Sequence, residues 1–272
     1  MVRLLLLSIA VTVVAQDPPP AVKAIDQEIS NLKRLPDDSR ALKVKELGLR
    51  IRQQQKPFGV SLAINLMNAG SDGSGRETLQ EIASTLAETL RKAPVQSEED
   101  DVYFVLAELV RYNHLTVALD SPRYRTAMAQ IDVKDRERAK ADFTLTDVAG
   151  KSWNLRSLRG SVVLANFWDS WCEPCRRAIP DLSELHKRFE KQGLVVLALL
   201  GEDPGSLKRF AQERSIPFPL LVDSGTKVRQ LYSIMGVPRT LVFDREGKLV
   251  AQAVARPAMS GWLDMLERAG LR

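Results

Sequence analysis

Cysteine and histidine are scarce in this chain, with two of each among 272 residues. A structural zinc site takes about four ligands, so Cys172, Cys175, His114 and His186 are a poor set for one. A disulfide-dense miniprotein is excluded by the same count. No apolar run reaches the ~18 residues of a conventional membrane-spanning helix. Glycine and proline number only 15 and 14, which excludes collagen-like and low-complexity chains. No fixed-period repeat is visible. The net charge of +5 is spread over mixed-sign sequence, as in the alternating stretch Lys134–Lys140, so no nucleic-acid partner is expected.

What is present is a globular composition, 44% hydrophobic and 27% charged, long enough at about 150 residues per domain for two domains. The first residues stand apart. Met1-Val2-Arg3 carries one positive charge, and Leu4–Ala15 is apolar but for Ser8 and Thr12. Gln16-Asp17-Pro18-Pro19-Pro20 then breaks any helix. This pattern predicts a signal peptide over 1–15, cleaved near Gln16, and an exported protein that is periplasmic or otherwise extracytoplasmic and soluble after cleavage. Uncleaved, the segment is too short to span a bilayer and gives only a marginal tether. No cysteine lies near the cleavage point to carry a lipid.

Residues 21–140 read as an all-helical domain. Val22, Ile25, Ile29 and Leu32 form one stripe, closed by Leu35-Pro36. Asp37 or Asp38 caps a second helix through Leu42, Leu47 and Leu49. A third runs from Pro57 to about Met67. Ser74 with Glu77 matches a capping box ahead of Leu79, Ile82, Leu86 and Leu90. Ser97 and the acidic run Glu98–Asp101 open a helix whose apolar residues extend from Val102 to Leu119. Ser121-Pro122 begins the last. A bundle or helical-hairpin array is expected, without a catalytic constellation and with a scaffold or partner surface as its plainest role.

At residue 141 the periodicity changes. Phe143–Thr146 and Trp153–Leu155 alternate around Ala149-Gly150, as a hairpin does. Val162–Trp168 and Leu194–Leu200 are continuous apolar runs, typical of strands covered on both faces. Helices are predicted over about 173–191, 204–214 and 226–233, a short strand over Leu220–Val222, an antiparallel pair at Thr240–Phe243 and Lys248–Val254, and a final helix capped by Ser260.

The two cysteines sit where the first apolar strand passes into a helix. Helix-terminal N–H groups and the helix dipole stabilise an anion there, which favours a nucleophilic Cys172 thiolate. Cys175, one turn further in, is placed to attack a mixed disulfide at Cys172. A purely structural bridge is the competing reading, but so short a loop constrains the unfolded chain least.

The segment Val162-Val-Leu-Ala-Asn-Phe-Trp-Asp-Ser-Trp-Cys-Glu-Pro-Cys-Arg-Arg-Ala-Ile-Pro180 resembles the active-site segment of thioredoxin-like proteins, and in particular of the exported TlpA/ResA-type thiol–disulfide oxidoreductases of the redoxin family. Phe143–Gly160 is similar to that subfamily's N-terminal hairpin, and Gly236-Val237-Pro238-Arg-Thr240 to its cis-proline loop. The resemblance covers about 141–272. It implies an α/β thioredoxin fold, a mixed central sheet with flanking helices, C-terminal to the helical domain. It implies Cys172 as attacking and Cys175 as resolving thiol. It gives Pro238 a cis bond, and Val237 and its loop the substrate backbone. Trp171 covers the disulfide, Glu173 and Pro174 tune its potential, and Pro180 kinks the helix.

Two positions depart from the family pattern. Thioredoxins often place a carboxylate where this chain has Asn166, and TlpA/ResA-type proteins often carry Glu where it has Ala178. Asp169 is the candidate proton acceptor in their place, against the reading of a surface loop charge. The implied activity is reduction of disulfides in envelope proteins, with apocytochrome c as one candidate, a membrane thiol reductant as electron source and no organic cofactor beyond the redox-active Cys172–Cys175 pair. The alternatives are a disulfide-donating oxidase, a peroxide-reducing relative and a non-catalytic docking module. The peroxidase lacks its Thr-x-x-Cys here, and a copper chaperone would want wider cysteine spacing and a histidine.

Overall fold

The computed structural model describes residues 17–54, 58–94 and 102–272. The segment 1–15 expected as a signal, the start expected at Pro57 and the Ser97–Asp101 cap lie outside the described residues, as do the side chains of Asp37 and Asp38. The helices are α1 (Pro20–Ser30), α2 (Asp37–Arg52), α3 (Phe58–Gly70), α4 (Arg76–Lys92), α5 (Val102–Tyr112) and α6 (Pro122–Arg138). They share one core, built on Ile25, Ile29, Leu32, Leu47, Leu66, Leu86, Leu106 and Ile131. None of the helices among the described residues is long and apolar enough to cross a membrane.

Four local readings are corrected. In α2, Val44, Leu47 and Ile51 face inward while Leu42 and Leu49 are exposed, because the 3.6-residue period admits only one of the two phases. α2 also lies close on α4 at Gly48, where a methyl group would stand 2.7 Å from Glu81 Oε1 and 2.8 Å from Thr85 Oγ1. α4 starts one residue after Gly75. Ser74 makes no capping bond to it, because its hydroxyl donates to the Gly70 carbonyl at 2.6 Å, one of the carbonyls left over at the end of α3. α5 stops at Tyr112, and His114 takes a left-handed φ of 52°. Leu115 and Leu119 reach the core from an extended segment instead. The last helix begins at Met259 behind Ala258, with Ser260 inside its first turn.

The rest of the chain forms the hairpin β1 (Thr144–Thr146) and β2 (Ser152–Asn154), followed by β3 (Val162–Phe167), α7 (Glu173–Phe189), β4 (Leu194–Leu200), α8 (Pro204–Arg214), β5 (Leu220–Val222), α9 (Lys227–Leu231), β6 (Arg239–Phe243), β7 (Leu249–Val254) and α10 (Met259–Arg268). The main sheet runs β5-β4-β3-β6-β7. β3, β4 and β5 are parallel, whereas β6 pairs antiparallel with both β3 and β7. Side chains alternate between faces. Val162 and Leu164 meet α7 and α10, and Val163, Ala165 and Phe167 meet Phe143, Leu155, Val228 and Tyr232. This is the expected thioredoxin fold.

Both sheet edges are covered. Asp147 bridges Leu221 beside β5, and α5 packs along β7. An uncovered edge would offer unpaired backbone groups to another chain. The junction with the helices is polar. Arg138, 1% exposed, donates to Tyr232 O at 2.8 Å and Tyr112 Oη at 2.7 Å, and also to Asp135, Gln252 and Ser233 O. Burial there pushes the Tyr112 phenol up to about 12.

Candidate active site

β3 delivers the chain to the site and α7 receives it. Between them, residues 168–172 are held from several sides. Asp223, at the end of β5, accepts from the N–H groups of Val228 and Arg229 at the start of α9. Arg229 in turn reaches Asp169 at 2.6 and 3.1 Å and the Trp168 carbonyl at 2.8 Å. The Ser170 N–H donates to Glu202, and Arg176 donates to the Ser170 carbonyl. Asp169 is thus buried rather than a surface loop charge, with both oxygens engaged by one guanidinium.

Cys172 is the N-cap of α7. Its sulfur accepts the Cys175 N–H at 3.3 Å and is joined to Cys175 in a disulfide. Both cysteines are buried, whereas Trp171 is 72% exposed beside them. Most of that ring therefore faces solvent. The Val237–Pro238 bond is cis. The Pro238 carbonyl accepts from Ala255, and the N–H and carbonyl of Val237 find no hydrogen-bond partner among the described residues.

The AhpC/TSA family model matches residues 137–252. A thiol–disulfide oxidoreductase ResA of Bacillus cereus is 30% identical over 129 residues, which is 46% of this chain and 75% of that relative. The chain belongs to the ResA-type thiol–disulfide oxidoreductases. The ResA of Geobacillus kaustophilus is 37% identical over 40% of this chain and 63% of its own length. Among solved structures, the pneumococcal exposed lipoprotein thioredoxin of Streptococcus pneumoniae is similar, with 29% identity, a TM-score of 0.43, and coverage of 47% of this chain and 98% of that one.

Within this ResA-type frame the two unusual positions are electrically neutral. Asn166 is buried and donates to Thr240 Oγ1 at 2.9 Å. Ala178 is fully buried in α7, which continues through Pro180 to Phe189, so Pro180 does not terminate it. Glu173 accepts from Arg177 at 3.1 Å.

Sequence reasoning missed the contribution of the helical half. Asp72, in the turn after α3, pairs with Arg177 at 2.7 Å and Arg256 at 3.4 Å, and so touches the active-site helix two residues past Cys175. Glu108 of α5 pairs with Arg239 at 2.9 Å, next to the cis proline. A groove of about 370 Å³ separates the halves here, between Met67, Asn68, Val105 and Leu109 on one side and Pro174 and Val237 on the other. The sequence hint is faint: Arg177 and Arg239 are surplus cations beside two recognised motifs.

Proposed function

We propose that this ResA-type enzyme works outside the cytoplasm and reduces disulfides in envelope proteins. The reading rests on one observation above all, the Cys172 sulfur at the N-terminus of α7 accepting the Cys175 N–H. Helix-end N–H groups and the helix dipole stabilise a thiolate at that atom. In the reduced enzyme the Cys172 thiolate attacks one sulfur of a substrate disulfide. A Cys172–substrate bond forms and the first substrate thiolate leaves. The Cys175 thiolate then attacks Cys172, the mixed disulfide breaks, and the second substrate thiol departs. Two electrons have passed to the substrate, and the enzyme keeps the Cys172–Cys175 disulfide. A membrane dithiol donor restores the reduced pair by the same exchange in reverse.

In this reading Val237, with its free backbone groups, aligns the substrate strand beside Pro238. Glu173 and Pro174 set the potential, and Trp171 offers an exposed apolar face at the reacting sulfur. Asp169 serves through its pairing with Arg229, as an anchor of the loop, rather than as the base for Cys175. An apocytochrome c fits as substrate because the resemblance to TlpA/ResA-type proteins extends over both the hairpin and the redox motif. Residues 1–15 act as the export signal, 21–140 and 141–272 as the two domains.

The deciding experiment equilibrates the Cys172–Cys175 couple against glutathione or dithiothreitol. A potential at or below about −250 mV fits a reductase, and one near about −120 mV makes the protein a disulfide donor. If no intramolecular disulfide forms in the full chain, exchange chemistry is lost and a docking role replaces it.

A further inference from the structure

We infer that the appended helices complete the substrate site, and that the groove between α3, α5 and the cis-proline loop takes an extended, apolar segment flanking the cysteine of a protein substrate. The inference rests on the thiol–disulfide exchange proposed above and adds to it the class of sequence selected.

The first argument is continuity. Pro174 stands between the two cysteines and Val237 precedes Pro238, and both line the groove. A segment whose cysteine lies on Cys172 therefore has its neighbouring residues at the groove's mouth. The N–H and carbonyl of Val237, unpaired among the described residues, suit an added strand, whose side chains would point alternately into and out of the groove.

The second argument is chemical. The carboxylates on the helical wall are each matched by a guanidinium, Glu108 by Arg239 and Asp72 by Arg177 and Arg256. With these charges paired, the groove offers carbon from Met67, Val105, Leu109 and Met235. Val105 is 40%, Trp171 72% and Met235 86% exposed. Large apolar side chains left in solvent around one groove and one disulfide mark an interaction site. A charged flanking residue would lose water there without gaining a partner.

The third argument is rigidity. Arg138 of α6 donates to Gln252 of β7, and Arg239 of β6 pairs with Glu108 of α5, which fixes the helical wall to the sheet. The groove is then formed before substrate arrives, and little ordering is needed on binding.

The test uses the full chain carrying Cys175→Ser, so that capture stops at Cys172. The probes are two short glycine-rich peptides, each with one cysteine held as a mixed disulfide with thionitrobenzoate. One has leucine and the other aspartate on both sides of the cysteine. Attack by Cys172 forms the enzyme–peptide disulfide and releases thionitrobenzoate, the better leaving group, which is read by its absorbance. The leucine peptide is expected to react about tenfold faster, the fold-change given by burying part of one such side chain. Val105→Arg on α5 and Asn68→Arg on α3, both at exposed positions, are each expected to bring the ratio close to one. Circular dichroism confirms that each variant is folded. If both folded variants keep the full leucine preference, the helical wall is not part of the site and this inference fails while exchange stands. If Cys172 of the Cys175→Ser chain fails to react even with the symmetric thionitrobenzoate disulfide, the exchange reading itself fails.

Discussion

Glu108 and Arg239, 131 residues apart in sequence, form an ion pair at 2.9 Å between a helix of one half and the first residue of β6 in the other. Their side chains are 14% and 5% exposed. Arg239 also donates to Gln252 at 3.1 Å and lies over the Tyr112 ring at 4.6 Å. The residue immediately after the cis proline is therefore held by the helical half as much as by its own strand.

Glu108→Gln keeps the shape of this pair and removes its charge. Arg239 then stays buried with neutral partners only, and the loss is expected at about 3 kcal/mol, the lower end for breaking a buried pair. Urea unfolding should show a lower midpoint with an unchanged slope. A midpoint within error of the parent would mean that Gln252 and the Tyr112 ring suffice.

Asp72 pairs with Arg177, two residues past Cys175 in α7, and is expected to act on the Cys172–Cys175 couple through it. With Asp72→Asn, the Arg177 charge is left less compensated next to the first turn of α7. A cation near that helix end favours the thiolate, hence the dithiol form, and a tenfold shift in the exchange constant is about 30 mV upward. Arg177→Met is expected to move the potential the opposite way. Equilibration with glutathione checks both, and a potential that falls in Asp72→Asn would refute the coupling.

Asn166 occupies the position where thioredoxins often carry a carboxylate. Asn166→Asp can stay hydrogen-bonded, because the Thr240 hydroxyl can turn to donate. A base at that position is expected to speed the second step, attack by Cys175, by about tenfold or more, below the full range of general-base effects. Burial of a new carboxylate should cost about 1–3 kcal/mol of stability. Rapid mixing that resolves release of the two substrate thiols distinguishes this from a change in the first step, which is expected to stay constant.

Tyr112 gives the fold a dependence on alkaline pH. Burial raises its phenol from 10.0 to about 12. Between those values the folded protein keeps a proton that the unfolded chain has lost. The stabilising contribution is therefore fully present below pH 10 and declines as pH rises toward 12. Tyr112→Phe should flatten that part of the stability curve, measured by urea unfolding at stepped pH. An unchanged curve would assign the alkaline limb to other groups, such as Tyr232, whose phenol burial also raises.

Much of the α/β half was legible because its signals are local and dense. Continuous apolar runs matched β4 to the residue and overran β3 only by Trp168, and Trp171-Cys-Glu-Pro-Cys175 together with Gly236-Val-Pro238 identified the redox motif. The helical half was legible as helices but less so in phase. Leu42 and Leu49 look like core residues until Val44 and Ile51 are seen to occupy the inner face. The capping pattern at Ser74 failed because the nearby Gly70 carbonyl competed for the same hydroxyl. The contacts of Asp72, Glu108 and Arg138 could not be read at all. Each depends on how two surfaces distant in sequence meet, and no local pattern records a partner on the order of a hundred residues away.

Arg138 ties the fate of the two halves together. Its guanidinium is satisfied by Tyr112 and Asp135 on the helical side and by Tyr232, Ser233 and Gln252 on the other. If either half opens alone, a charge buried to 1% exposure loses two or three of these five partners. States with one half melted are thereby penalised, although each half has a core of its own. The chain should absorb heat in one cooperative event, and a redox half cut free at residue 141 would lose this arginine and its coupling to the helices.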